Sequence, residues 1–266
     1  MKRTGLQAAW ACAILAIGQS NALATDIYSE AEFRNLGLSF VDLTPGDGNA
    51  AGISVIQTAG SVATNAYDGV SALSDYKSLQ FSDLAPINVN SAQGTAQASV
   101  VGSGTVSHLH SSAAVSGYQQ DASGYTSVDN RYTITVQPHT SFTISGQLAL
   151  QVSLSGMPST AIGHSSGSFS LGDIGSGDIS HGGGTFSANL NLGPDGSTPS
   201  PYSYDFSYTY TNNSDSIMYA GLQLSTSNLA WNTDPNTPPV PEPETYLMLG
   251  TGLLMLRAAR RWRKSN

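Results

Sequence analysis

The chain has 266 residues, and only 11% of them are charged, against roughly 25% in ordinary globular proteins. Between residues 25 and 240, sixteen acidic residues stand against three basic ones (Arg34, Lys77 and Arg131), a net of −13. With so little to neutralise phosphates, a nucleic-acid partner is excluded. The only cysteine is Cys12, so a product that has lost its N-terminal segment has no thiol for a disulfide, a nucleophile or a metal site.

Residues 1–24 open with a short basic start, Met1–Arg3, continue as an apolar run, Ala8–Ile17, and end in the small-x-small triplet Ala22-Leu23-Ala24. This is the layout of a secretory signal peptide. The run is too short to span a bilayer, which takes about 20 residues. Export through the Sec machinery and cleavage by signal peptidase after Ala24 are expected. A lipoprotein signal at Cys12 is rejected, because the cysteine lies too near the start and Trp10 is a poor residue two positions before it.

The body, residues 25–230, alternates apolar and polar residues. Leu36, Leu38 and Phe40 share one parity, as do Ile53 and Val55, and Tyr132, Ile134 and Val136. The longest run is Phe142, Ile144, Gly146, Leu148, Leu150, Val152 and Leu154. Phe186 to Leu192, Tyr202 to Tyr210 and Met218 to Leu224 repeat the pattern. Period-two alternation marks half-buried strands, and the Gly-rich clusters at 44–49, 102–104, 172–178, 181–184 and 193–201 mark turns. Residues 100–117 are ambiguous between an edge strand and a long hairpin. Helical character is confined to Glu30–Asn35 and part of 66–77. The expected fold is all-β: one two-sheet antiparallel sandwich, jelly-roll-like or Ig-like.

Few residues in this body suggest chemistry. His108 and His110 would share one face of a strand and form a two-histidine metal pair, with a third ligand from His139, His164, His181 or an Asp; the alternative is two surface histidines. Asp47, Asp173 and Asp178 sit in Gly-rich turns, where oxygen ligands can hold Ca²⁺ and where Asp is also an ordinary turn residue. Tyr202, Tyr204, Phe206, Tyr208 and Tyr210 form an aromatic row that is either core or a platform for stacking on sugars. Glu30 and Glu32 are the only glutamates before the linker, and they supply no evident acid–base pair. Asn212-Asn213-Ser214 matches an N-glycosylation string.

Residues 231–239 form a Pro/Asn/Thr-rich linker, expected to be extended and solvated. Pro241-Glu242-Pro243 follows, then an apolar run from Tyr246 to Leu256, then the basic cluster Arg257, Arg260, Arg261, Arg263 and Lys264. Extended to Ala259, the run would make about 21 Å of helix, short of the roughly 30 Å hydrocarbon core. It reads as a temporary transmembrane stop with its basic end on the cytoplasmic side.

The order of motif, short span and basic cluster over residues 240–266 resembles the PEP-CTERM sorting signal of Gram-negative bacteria. That resemblance implies handling by exosortase, a membrane cysteine protease or transpeptidase. It also implies a passing inner-membrane intermediate, and delivery to the cell surface or an exopolysaccharide matrix. It allows O-linked sugar on the Ser/Thr-rich surface. The expected role is non-enzymatic, structural or adhesive within a biofilm matrix. The alternatives are a carbohydrate-binding module, using the aromatic row or a Ca²⁺-supported loop, and a secreted hydrolase with a pocket lined by His108, His110 and an Asp.

Overall fold

Period-two alternation governs nearly every residue that the computed structural model describes, namely 26–48, 50–79, 87–102, 108–117, 120–155, 161–174, 179–192 and 197–233. The signal peptide, most of the linker, the sorting tail and Asp178 lie outside these residues. In chain order the strands are β1 (Asp26–Asp42), β2 (Ile53–Asp68), β3 (Ala72–Leu79), β4 (Ile87–Gln93), β5 (Ala96–Gly102) and β6 (Leu109–Ser116). The second half adds β7 (Ala122–Val136), β8 (Thr140–Ser155), β9 (Ala161–Asp173), β10 (Gly184–Asn191), β11 (Tyr202–Asn212) and β12 (Met218–Asn232).

These strands build two sheets, ordered β11-β8-β1-β6-β5-β4 and β10-β9-β12-β7-β2-β3. Every pairing is antiparallel. The expected two-sheet antiparallel fold is therefore present. Its twelve described strands exceed the eight of a jelly roll and the seven to nine of an Ig domain. β12 runs to Asn232, two residues past the expected end of the body.

The segment 30–35 is not helical. It is the middle of β1, with Ala31 and Phe33 buried between outward Glu30, Glu32 and Arg34. Likewise, 66–68 ends β2 and 72–79 is β3. The ambiguous stretch 100–117 is part of a hairpin: β5 pairs with β6, and β6 lies inside the sheet against β1.

Two clusters of different size fill the space between the sheets. The larger holds Phe33, Phe142, Ile144, Phe169, Leu171, Phe206 and Tyr210. The smaller is built mostly from alanines: Ala66, Ala96, Ala113, Ala122 and Ala230, with Ile27 and Val115. Small side chains bring the sheets together there, and a Cβ on Gly124 would stand 2.4 Å from the carbonyl oxygen of Gln97 on the facing sheet.

Buried hydroxyls and amides are also present between the sheets. Asn228 donates to Ser111 and Thr126, Ser111 donates to Thr226, and Thr64 pairs with Ser91. Most of these buried polar atoms are paired with one another, while the Asn228 Oδ1 has no hydrogen-bond partner among the described residues. At one side, Gly182 bridges to Tyr210 and Thr211 N donates to the carbonyl of His181, which ties the lead-in of β10 to β11.

Candidate functional site

Alternation puts Tyr28, Glu30, Glu32 and Arg34 on the outer face of β1, and His110 on the outer face of β6 beside it. His110 Nε2 lies 2.9 Å from Glu30 Oε1, and His108 Nε2 lies 2.9 Å from Glu32 Oε1. The two imidazole rings are parallel, with centroids 6.4 Å apart. Tyr28 donates its hydroxyl to the other oxygen of Glu30 at 2.8 Å. Arg34 stands 3.7 Å from Glu32 and donates to Gln147 on β8, and Gln147 donates to Asp205 on β11. A chain of hydrogen bonds and one ion pair thus runs from His108, just before β6, through β1 and β8 to β11.

The electrostatics follow from these contacts. The His110 contact holds the Glu30 carboxyl below its ordinary value of 4.5, against the opposing effect of partial burial. Glu30 in turn holds the His110 imidazolium above its ordinary 6.5. Burial, then the Glu30 carboxylate, pushes the Tyr28 phenol up. The cluster is a pair of carboxylate–imidazole contacts side by side. The cleft beside it, with Ala149 in its floor, holds about 190 Å³, below the roughly 300–1,000 Å³ usual for a small-molecule site.

Glu30 and Glu32 are the residues that sequence reasoning passed over. The signal was there: a same-parity Tyr-x-Glu-x-Glu-x-Arg in one segment and a His-x-His in another. What was missing was the pairing of β1 with β6, which nothing in either segment specifies.

The other histidines do not gather around His108 and His110. His139 contacts Asp215 at 2.8 Å, His164 contacts Asn191 at 2.7 Å, and His181 contacts Asp173 at 3.0 Å. Among the described residues no group of three or more His, Cys, Asp or Glu side chains is placed to share a metal ion. Asp47 accepts from Thr44 across its own turn at 2.8 Å. Asp173 accepts from the buried Tyr210 hydroxyl as well as meeting His181. Burial raises the Asp173 carboxyl, but those contacts more than reverse this and leave it below its ordinary value.

The aromatic row on β11 divides. Phe206 is 5% exposed and Tyr210 0%, both in the larger core, whereas Tyr202 and Tyr204 stay 37% and 38% exposed at the rim. Phe206 meets Phe169 and Phe186 with centroids 4.8 and 5.1 Å apart, and Tyr208 packs on Phe169 at 5.2 Å. The glycosylation string is closed off as well. Asn212 is buried, and its amide nitrogen donates to the carbonyls of Val136, Gln137 and Ser216.

Comparison with known proteins bears on the other end of the chain. Residues 239–264 match the PEP-CTERM protein-sorting motif, a stretch that includes Pro241, Glu242, Pro243 and the basic residues from Arg257 to Lys264. Neither the curated proteins nor the solved structures give a match. By that tail the chain is an exported protein that carries the PEP-CTERM sorting motif, the address that exosortase processes.

Proposed function

We propose that the β body is a non-enzymatic structural or adhesive component of an exopolysaccharide matrix, delivered to the surface of a Gram-negative cell by its sorting tail. Sec export and signal peptidase remove residues 1–24. The tail then holds the chain in the inner membrane until exosortase acts on it. The observation that carries this reading is the inward packing of Phe206, Tyr208 and Tyr210. The broadest aromatic row in the chain serves the core, and the polar residues nearest to an acid–base set are tied to one another across β1 and β6.

A matrix protein should stay with the polymer when cells are removed. The test is to strip the matrix gently from the cells, wash it, and probe it for the processed protein. Retention in the washed matrix, with loss of cell cohesion in a strain lacking the protein, is expected. Processed protein found free in the culture fluid, with cohesion unchanged, would count against the proposal.

A further inference from the structure

The two outer sheet faces differ in one respect. The face carrying β1 and β6 is covered by side chains bonded to one another. On the opposite face, over β7, β12, β9 and β10, Ser225 meets Asp129 and Gln223 at 3.4 Å, while Ser127, Ser168 and Ser187 make no side-chain hydrogen bond among the described residues. Asp129, Ser225, Ser168 and Ser187 stand in one row across these strands. Ser127, Ser227, Ser166 and Asn189 stand in the next. Two depressions of about 490 and 460 Å³ lie along this face and share Gln223 as a common wall. The floor of the first is a pair of facing glycines, Gly221 on β12 and Gly172 on β9. Exposed tyrosines bracket the trough: Tyr219 follows the Gly221 parity at one end, and Tyr125 follows the Ser127 parity at the other. The β7 residues level with them are ten apart, or about 34 Å at the rise of an extended strand.

We propose that this trough binds an extended, uncharged polysaccharide chain, with sugar rings stacked on Tyr219 and Tyr125 and hydroxyls meeting the serine rows between them. Each feature selects that chemistry. A long open groove suits a polymer better than a compact ligand. The hydroxyls of Ser127, Ser168 and Ser187 leave donors and acceptors open to a hydroxyl-rich polymer. Tyrosine offers an apolar ring with a polar tip. A polyanion is disfavoured, because Arg131 is already paired with Asp129 at 2.8 Å and the body is strongly acidic. The proposal rests on the matrix function for the identity of the polymer.

The test is direct binding of the processed protein, purified from its own cells, to polysaccharide prepared from the matrix of those cells. Tyr219→Ala and Gly221→Val are the informative variants. The first removes an exposed ring. The second puts a side chain into the depression, where a Cβ stands at ordinary contact distance, 3.6 Å from Ile174. Each should weaken binding on the order of tenfold, with the unfolding midpoint unchanged and little response to salt. Tyr202→Ala, at the far rim, should bind as the parent does. No binding by the parent protein, equal loss in Tyr202→Ala, or affinity that collapses as salt is raised would each overturn the proposal. If the parent does not bind and the protein is nevertheless retained in washed matrix, the trough assignment fails and the matrix function stands.

Discussion

Glu30 and His110 shift each other's protonation in opposite directions, and this fixes the sign of their pH dependence. The folded carboxyl is depressed, so its contribution to stability is present above its ordinary value of 4.5 and is lost as pH falls through the folded value. The folded imidazole is raised, so its contribution is present below its ordinary 6.5 and is lost as pH rises through the folded value. The dyad therefore stabilises most between those two ordinary values. By NMR titration, His110 should deprotonate above 6.5, and Glu30→Gln should bring it back toward that value. A His110 midpoint that ignores the substitution would mean that the pair is not formed in solution.

A second test at this scale concerns Gly124. Its backbone lies against the carbonyl of Gln97 and the backbone of Ala114 on the facing sheet. Even one methyl group must push backbone rather than a flexible side chain. Gly124→Ala should destabilise by about 1–3 kcal/mol, the usual cost of overpacking, in denaturant unfolding of the processed protein. Unchanged stability would show that the sheets are not so close at the alanine-rich end.

At the scale of the strand, β11 makes the sharpest division between core and rim. Phe206→Ala should cost about 3–5 kcal/mol, as expected for a buried aromatic ring, whereas Tyr202→Ala should stay within about 0.5 kcal/mol. Similar costs at both positions would place the whole row either inside or outside. The parity of this row, and of β8, was legible in the sequence because large apolar residues alternate along both, with Gly146 the one small residue in the β8 series. β12 was legible only to Leu224. Beyond it the inward residues are Thr226, Asn228, Ala230 and Asn232, and a buried asparagine looks like a surface residue until its partners Ser111 and Thr126 are known. β9 was hidden in the same way, because Gly163, Ser165 and Gly167 occupy its inward positions. In β1 the alternation is interrupted at Asn35, which takes a left-handed φ of 55°. The register shifts between Arg34 and Gly37, and inward parity passes from Phe33 to Leu36. A pattern that changes phase in mid-strand is easily taken for a helix.

At the scale of the whole molecule, charge is sorted by position. Seven of the ten basic residues lie in the first three residues or from Arg257 onward. Of the three in the body, Arg34 and Arg131 are each paired with a neighbouring carboxylate. The strands fold into an acidic, hydroxyl-rich body, and the two ends carry the addresses. β1 begins and β12 ends at the same pole of the sandwich, where Ile27 and Ala230 share the alanine-rich cluster. The sorting tail was legible because its order is local and linear. The candidate sites on the sheet faces were not, because each is assembled from strands far apart in the chain.

Intact mass combined with cell fractionation tests most directly whether this body is exported and sorted by its tail. The protein taken from its own cells should lack residues 1–24 and the tail beyond about Pro243, and should lie outside the inner membrane. Replacing Pro241, Glu242 and Pro243 with alanine should leave a longer form held in the membrane. A native protein that keeps its full tail in the membrane, or a triple variant processed and located like the parent, would contradict the account.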